Sequence, residues 1–122
     1  MRFHRLASTL MAIALSATAA TAESVLVMVE EHGCVWCARW NAEIAPIYPK
    51  TSEGKAAPLR RLDINQTMPA ELSFKGKLHF TPTFVLMVDG KEISRLEGYP
   101  GEDFFWGLLG QMLKTAEIGL SS

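Results

Sequence analysis

Cysteine is nearly absent from this chain: Cys34 and Cys37 are the only two, set in the stretch EHGCVWCARW from Glu31 to Trp40. There is no second cysteine pair, and His32, His79 and Met28 are scattered, so a closed zinc site, which needs four ligands, is excluded. A surplus of positive charge is also missing. Twelve Lys and Arg stand against 13 Asp and Glu, with no basic stripe to hold nucleic acid. The one basic pair, Arg60-Arg61, reads as a solvated strand end. Internal repeats, low-complexity tracts and domain linkers are lacking too. Beyond the first residues, charges interrupt every apolar run before it reaches transmembrane length.

What is there begins with a leader. Arg2 and Arg5 give a basic start, an apolar run without acids extends from Leu6 to about Leu15, and Ala20-Thr21-Ala22 supplies a small-x-small cleavage site. That is the pattern of a secretory signal peptide over residues 1–22, too short to span a bilayer. Cleavage after Ala22 leaves residues 23–122, 100 residues with ten basic and 13 acidic side chains. This is enough for one small domain with one core. Export to the periplasm places that domain where disulfides form and persist.

The pattern of the mature part alternates strands and helices. Ser24–Val29 (SVLVMV) is a continuous β-branched run suited to a buried strand. A helix is expected from Cys34 to about Tyr48, with Val35, Ala38, Ile44 and Ile47 as core contacts, kinked by Pro46 and ended by Pro49. Thr51–Ala57 reads as a polar surface loop, Pro58–Ile64 as a second strand, and Asn65–Lys77 as a weak, short helix. Thr83–Val88 (TFVLMV) is another buried strand. Asp89-Gly90 signals a hairpin, and Lys91–Leu96 alternates as a more exposed partner strand. Glu102-Asp103 opens a last helix, with Phe104, Phe105, Leu108, Leu109, Met112 and Leu113 on its core face.

Two residues separate the cysteines, and three readings compete. As a brace, a loop this short contributes roughly 2 kcal/mol at best, because disulfide stabilisation grows with the length of chain it closes. As ligands, Cys34, Cys37 and His32 are a candidate copper site. As a redox pair, the spacing gives the two sulfurs different chemistry. Cys34 at a helix N-terminus meets N–H groups and a dipole that favour its thiolate. Cys37, one turn on and more buried, is placed to resolve a mixed disulfide formed at Cys34. Phe80-Thr81-Pro82-Thr83 adds a second signal. A proline entering a buried strand has no N–H to donate, so it either merely starts the strand or sits there as a cis residue beside the cysteines.

CVWC after a buried strand, Thr81-Pro82 before the next, the Asp89-Gly90 hairpin and the closing helix resemble a thioredoxin-fold thiol–disulfide oxidoreductase, over essentially all of residues 23–117. The resemblance implies an α/β thioredoxin-like fold, a central mixed sheet of about four strands flanked by helices. It also implies that Cys34 is the nucleophile, Cys37 the resolving thiol and Pro82 the cis proline of a substrate groove that Thr81, Gly98, Tyr99 and Trp36 border. Tyr99 is expected to touch substrate rather than hold the fold. Two stretches, CARWNAEIAPIYPKTSEGKAAPLRRLDI and FTPTFVLMVDGKEISRLEGYPGEDFFWGLLG, further resemble the small exported SoxS-like thioredoxins of bacterial sulfur-oxidation (Sox) gene clusters. That narrower resemblance implies a monomeric reductase without a bound cofactor. Its partner would be a sulfur-carrier protein, and its electrons would come from a membrane thiol transporter.

Departures from the family pattern are informative. Gly33 replaces the tryptophan usually found before the first cysteine, and Val35-Trp36 replaces Gly-Pro. The buried aspartate six positions before the first cysteine is here Met28, so the usual proton acceptor for Cys37 is missing. Glu30 is a candidate replacement, against a plain loop acid, and His32 a candidate to stabilise the Cys34 thiolate. The rivals are a disulfide oxidant or isomerase and, from another class, a copper-binding or interaction module that uses the CxxC as ligands.

Overall fold

The computed structural model of the chain describes residues 9–16 and 22–120. The basic start of the expected leader, and Ala20 and Thr21 of its cleavage site, lie outside the described residues. Residues 9–16 carry no regular secondary structure, and Leu10, Met11, Ile13 and Leu15 are exposed.

Four strands form one sheet: β1 (Ser24–Glu30), β2 (Leu59–Asp63), β3 (Thr83–Val88) and β4 (Lys91–Glu97). Their order is β2-β1-β3-β4, with β1 and β2 parallel and the other pairs antiparallel. The parallel pair needs a crossover, supplied by α1 (Val35–Glu43), a 3₁₀ turn at Tyr48–Lys50 and α2 (Ser52–Ala56). The antiparallel pair β3–β4 needs only the Asp89-Gly90 turn. Both residues have positive φ, 50° and 78°, as a tight hairpin demands. A side chain at Gly90 would lie 2.5 Å from the Glu71 carbonyl oxygen, so only glycine fits there. The turn also fastens the start of the sheet: Asp89 N–H donates to the Glu23 carbonyl (2.8 Å), and Glu23 N–H donates to Asp89 Oδ1 (2.8 Å).

Side chains of a strand alternate between faces, and here both faces are covered. Leu26, Met28, Phe84 and Leu86 pack under α1 and α3 (Glu102–Thr115), against Cys37, Trp40, Ile44, Tyr48, Phe105, Leu109 and Leu113. Val27, Val29, Val85 and Met87 face the other way, onto Ile64, Met68, Leu72, Phe74 and Leu78. That second cover was expected to be a helix and is not one. Ile64, Met68 and Leu72 recur at helical spacing, but Pro69 donates no N–H and disfavours helical geometry at Met68. The segment runs as turns instead and bonds to the edge of the sheet, Ser73 N–H to the Gly90 carbonyl (2.7 Å) and Glu92 N–H to the Ser73 carbonyl (3.0 Å).

Four further expectations are corrected. Helix α1 ends at Glu43 rather than running to Tyr48, because Pro46 cannot continue it. Its inward face is Cys37, Trp40 and Ile44; Val35, Ala38 and Ile47 are exposed, so only Ile44 of the expected set is core. The expected loop at Thr51–Ala57 contains α2, capped by Thr51, whose Oγ1 accepts from Gly54 N–H (3.0 Å). In α3, Phe105, Leu109, Met112 and Leu113 are buried as expected, whereas Phe104 is exposed.

Candidate active site

Cys34 is the N-cap of α1 and is partly exposed; Cys37, one turn along, is buried at 3% exposure. The two form a disulfide with Cα atoms 5.2 Å apart. Gly33, at φ 81°, turns the chain from β1 into the helix. The arrangement is asymmetric. Cys37 N–H donates to Cys34 Sγ (3.1 Å), so the outer sulfur takes a backbone hydrogen bond at the positive end of the helix dipole. Cys37 instead belongs to the buried core cluster that also holds Met28, Trp40 and Phe84.

The Thr81–Pro82 bond is cis, as the resemblance leads one to expect, and Pro82 is buried. Pairing of Thr83 with Val29 and with Glu97 puts Pro82 at the end of the sheet where β1 leads out to Cys34. Gly98 joins it there: Gly98 N–H donates to the Pro82 carbonyl (2.7 Å). Thr81 is partly exposed, while Trp36 (51%), Val35 (74%) and Phe80 (57%) offer apolar surface to solvent.

Tyr99 is placed differently from the expectation. Only 5% exposed, it packs its ring against Phe105 and donates its hydroxyl to Glu43 Oε2. Burial, and then the hydrogen bond to that carboxylate, push the phenol well above its ordinary range. The same Tyr99 bond, with Arg39 Nε donating to Oε1 (3.0 Å), holds the Glu43 carboxyl below its ordinary value. Arg39 in turn lies over the Trp36 ring (5.6 Å). A line of side chains thus links Trp36, between the cysteines, to the loop before α3. The sequence reading did not single out Arg39 and Glu43; their i, i+4 spacing was the available signal.

A cleft of about 390 Å³ opens beside the disulfide, lined by Glu30, Glu31, His32, Gly33, Cys34, Cys37, Ala38, Asn41 and Asp63. Here the two candidate tuning residues part. His32 is exposed in the loop. Glu30 is committed to an ion pair with Arg61 (2.6 Å). Arg61, expected to be merely solvated, also approaches Met28 Sδ (3.6 Å) and lies over the Trp40 ring (5.8 Å). Asn41, one turn below Cys37, was not anticipated. Its carbonyl oxygen is buried, and no protein group among the described residues donates to it.

Residues 11–113 match the family model described as a thioredoxin-like domain. The chain belongs to the thioredoxin-like family. A thioredoxin-like solved structure, the crystal structure of the periplasmic thioredoxin SoxS from Paracoccus pantotrophus in its reduced form, is 53% identical. The match covers 77% of this chain and 99% of that one, with a TM-score of 0.76. A comparison with curated proteins finds no match. A thioredoxin-like domain with a Cys34–Cys37 pair at a helix start is a thiol–disulfide oxidoreductase. Among the described residues of this thioredoxin-like chain, no three or more His, Cys, Asp or Glu side chains cluster to hold a metal ion, and no helix is long and apolar enough to cross a membrane.

Proposed function

We propose that this protein is an exported reductase, released from its leader after Ala22, that keeps a cysteine of a partner protein reduced. The observation that carries the reading is the asymmetry of the pair: a partly exposed sulfur at a helix N-cap and a buried one behind it. Cys34 attacks the partner's disulfide, a mixed disulfide forms, and Cys37 displaces the partner's thiol. Thr81, Pro82, Gly98 and Trp36 border the surface on which the partner's backbone lies; the bond from Gly98 to Pro82 and the exposed Trp36 support that assignment. Likeness to a periplasmic SoxS thioredoxin supports the compartment. The partner proposed is a sulfur-carrier protein, and the electron source proposed is a membrane thiol transporter, as the resemblance to Sox-cluster thioredoxins implies. The protein acts as a monomer.

Two variants test this. Cys34→Ser abolishes exchange, and Cys37→Ser accumulates a covalent mixed disulfide whose protein component is read by mass spectrometry. In the wild type, alkylation at neutral pH reaches Cys34 first. Preferential alkylation of Cys37 overturns the assignment of nucleophile. Direction is read by glutathione titration, since 30 mV in this two-electron couple corresponds to about 1.4 kcal/mol. A potential near roughly −120 mV, that of a strong periplasmic oxidant, replaces the reductase with an oxidant.

A further inference from the structure

Three residues of α1, Trp36, Arg39 and Glu43, follow one another at helical spacing, so their side chains share one face of that helix. Trp36 stands half exposed between the cysteines and lies outside both core clusters. Arg39 sets its guanidinium over the Trp36 ring, 5.6 Å from the centroid, and donates its Nε–H to Glu43 Oε1 (3.0 Å). An exposed cation–π contact and an exposed ion pair are each weak, because long side chains must be ordered to make them. What steadies these two is the other oxygen of Glu43. It accepts from the Tyr99 hydroxyl, and Tyr99 is buried against Phe105. A pair that served α1 alone would need no bond to another element. Tyr99 follows Gly98, whose N–H donates to the Pro82 carbonyl (2.7 Å). The line therefore runs from Trp36 round to the strand end that carries the cis proline.

We infer that Arg39 and Glu43 are positioning residues that hold the Trp36 ring in place relative to the Gly98–Pro82 pair, and that they thereby favour disulfides carried on a peptide chain. The inference deepens the reading of Trp36, Gly98 and Pro82 as borders of the partner's docking surface, and it rests on that reading. A chain long enough to touch both borders gains from a ring that is already ordered, since that cost is met before binding. A small disulfide that reaches only the exposed sulfur of Cys34 gains nothing. Arg39 and Glu43 act in this role through Trp36 and not on the reacting sulfurs, so they govern recognition rather than attack.

Two probes separate recognition from attack: insulin, whose disulfides lie on peptide chains, and 2,2′-dithiodipyridine, a small uncharged disulfide. Arg39→Ala is expected to raise KM for insulin about two- to fivefold, the share of an exposed cation–π contact, with kcat and the rate with 2,2′-dithiodipyridine unchanged. Arg39→Lys, which keeps the charge without the planar fork, should recover part of the loss. Tyr99→Phe keeps the buried ring and removes only the bond to Glu43, so it should raise KM in the same way. The double variant should then do no worse than Arg39→Ala alone. Ring position is read separately, by fluorine NMR of the oxidised protein labelled with 5-fluorotryptophan. The Trp36 signal, assigned by its loss in Trp36→Phe, should move toward that of free fluorotryptophan in Arg39→Ala, while the signals of Trp40 and Trp106 stay. An unmoved Trp36 signal, an unchanged KM for insulin, or additive effects in the double variant overturns the inference. So does equal slowing with both disulfides, which would place Arg39 at the Cys34 thiolate. A wild type that reduces 2,2′-dithiodipyridine but not insulin overturns the docking surface, and the inference falls with it. Failure with both overturns Cys34 as nucleophile.

Discussion

At the scale of single residues, Tyr99 decides between two roles that a sequence leaves open. GYPG breaks the pattern at a place where the family has its groove, but nothing in four letters says whether a tyrosine there faces out or in. The core cluster settles its position: the Tyr99 ring meets Phe105 edge to face within it, with Glu43 at the end of α1 accepting the hydroxyl. Tyr99→Ala should therefore destabilise the fold by about 3–5 kcal/mol, the range for deleting a buried aromatic ring, measured by urea denaturation. Tyr99→Phe, which keeps the ring, should cost far less. A loss below about 1 kcal/mol for the alanine variant would contradict the buried placement. Tyr48 is buried alongside and donates to the Ala57 carbonyl (2.6 Å); burial, and then the charge of Glu53, raise its phenol as well. Both phenols hold their protons more tightly folded than unfolded. The stability they supply is complete below about pH 10 and declines as pH rises beyond it, so alkaline unfolding should be blunted in Tyr99→Phe. The cysteine pair, by contrast, was legible at once, because its spacing admits few chemistries. Asn41 was not, because an asparagine in a helix reads as surface until its neighbours in space are known.

At the scale of elements, the sheet was readable and its second cover was not. Continuous β-branched runs and a turn demanding positive φ leave little choice for β1, β3 and β4. Between Ile64 and Leu78 the hydrophobic spacing favours a helix while Pro69 opposes it, and long-range bonds to β4 decide. Glu92 is the centre of that anchorage. Its carboxylate accepts from Arg95 Nη2 (2.6 Å), Arg95 Nε (2.9 Å) and Lys75 N–H (3.1 Å). Arg95 Nη1 also donates to the Lys77 carbonyl (2.9 Å). Burial alone would raise the Glu92 carboxyl, but the bonds from Arg95 and Lys75 outweigh it and hold it below its ordinary value. A depressed carboxyl stabilises the fold above the ordinary range near pH 4.3, and that contribution is lost as pH falls through the lower folded value. Glu92→Gln should cost roughly 2 kcal/mol at neutral pH, as charged hydrogen bonds do, and should flatten the acid limb of the stability curve. Hydrogen exchange should show residues 73–77 opening first in that variant; unchanged protection there would place the anchorage elsewhere.

At the scale of the whole molecule, the sheet is closed over both faces by one short chain, and its beginning sits directly behind the proposed leader. Intact-mass measurement of protein from the periplasm should give residues 23–122; a mass retaining residues 1–22 would mean a membrane-anchored form. The clamp between Glu23 and Asp89 gives that cut a second meaning. In the uncut chain it is an amide N–H that meets Asp89 Oδ1 at 2.8 Å; after the cut the same nitrogen is a terminal ammonium facing a carboxylate. Asp89→Asn should then lower the melting temperature of the processed chain more than that of the precursor. Peptidase action would exchange a neutral contact for a charged one at the first strand, so the newborn end is drawn into the sheet rather than left to fray. The proposed precursor would lack that attraction and would be the looser of the two at this end of the sheet.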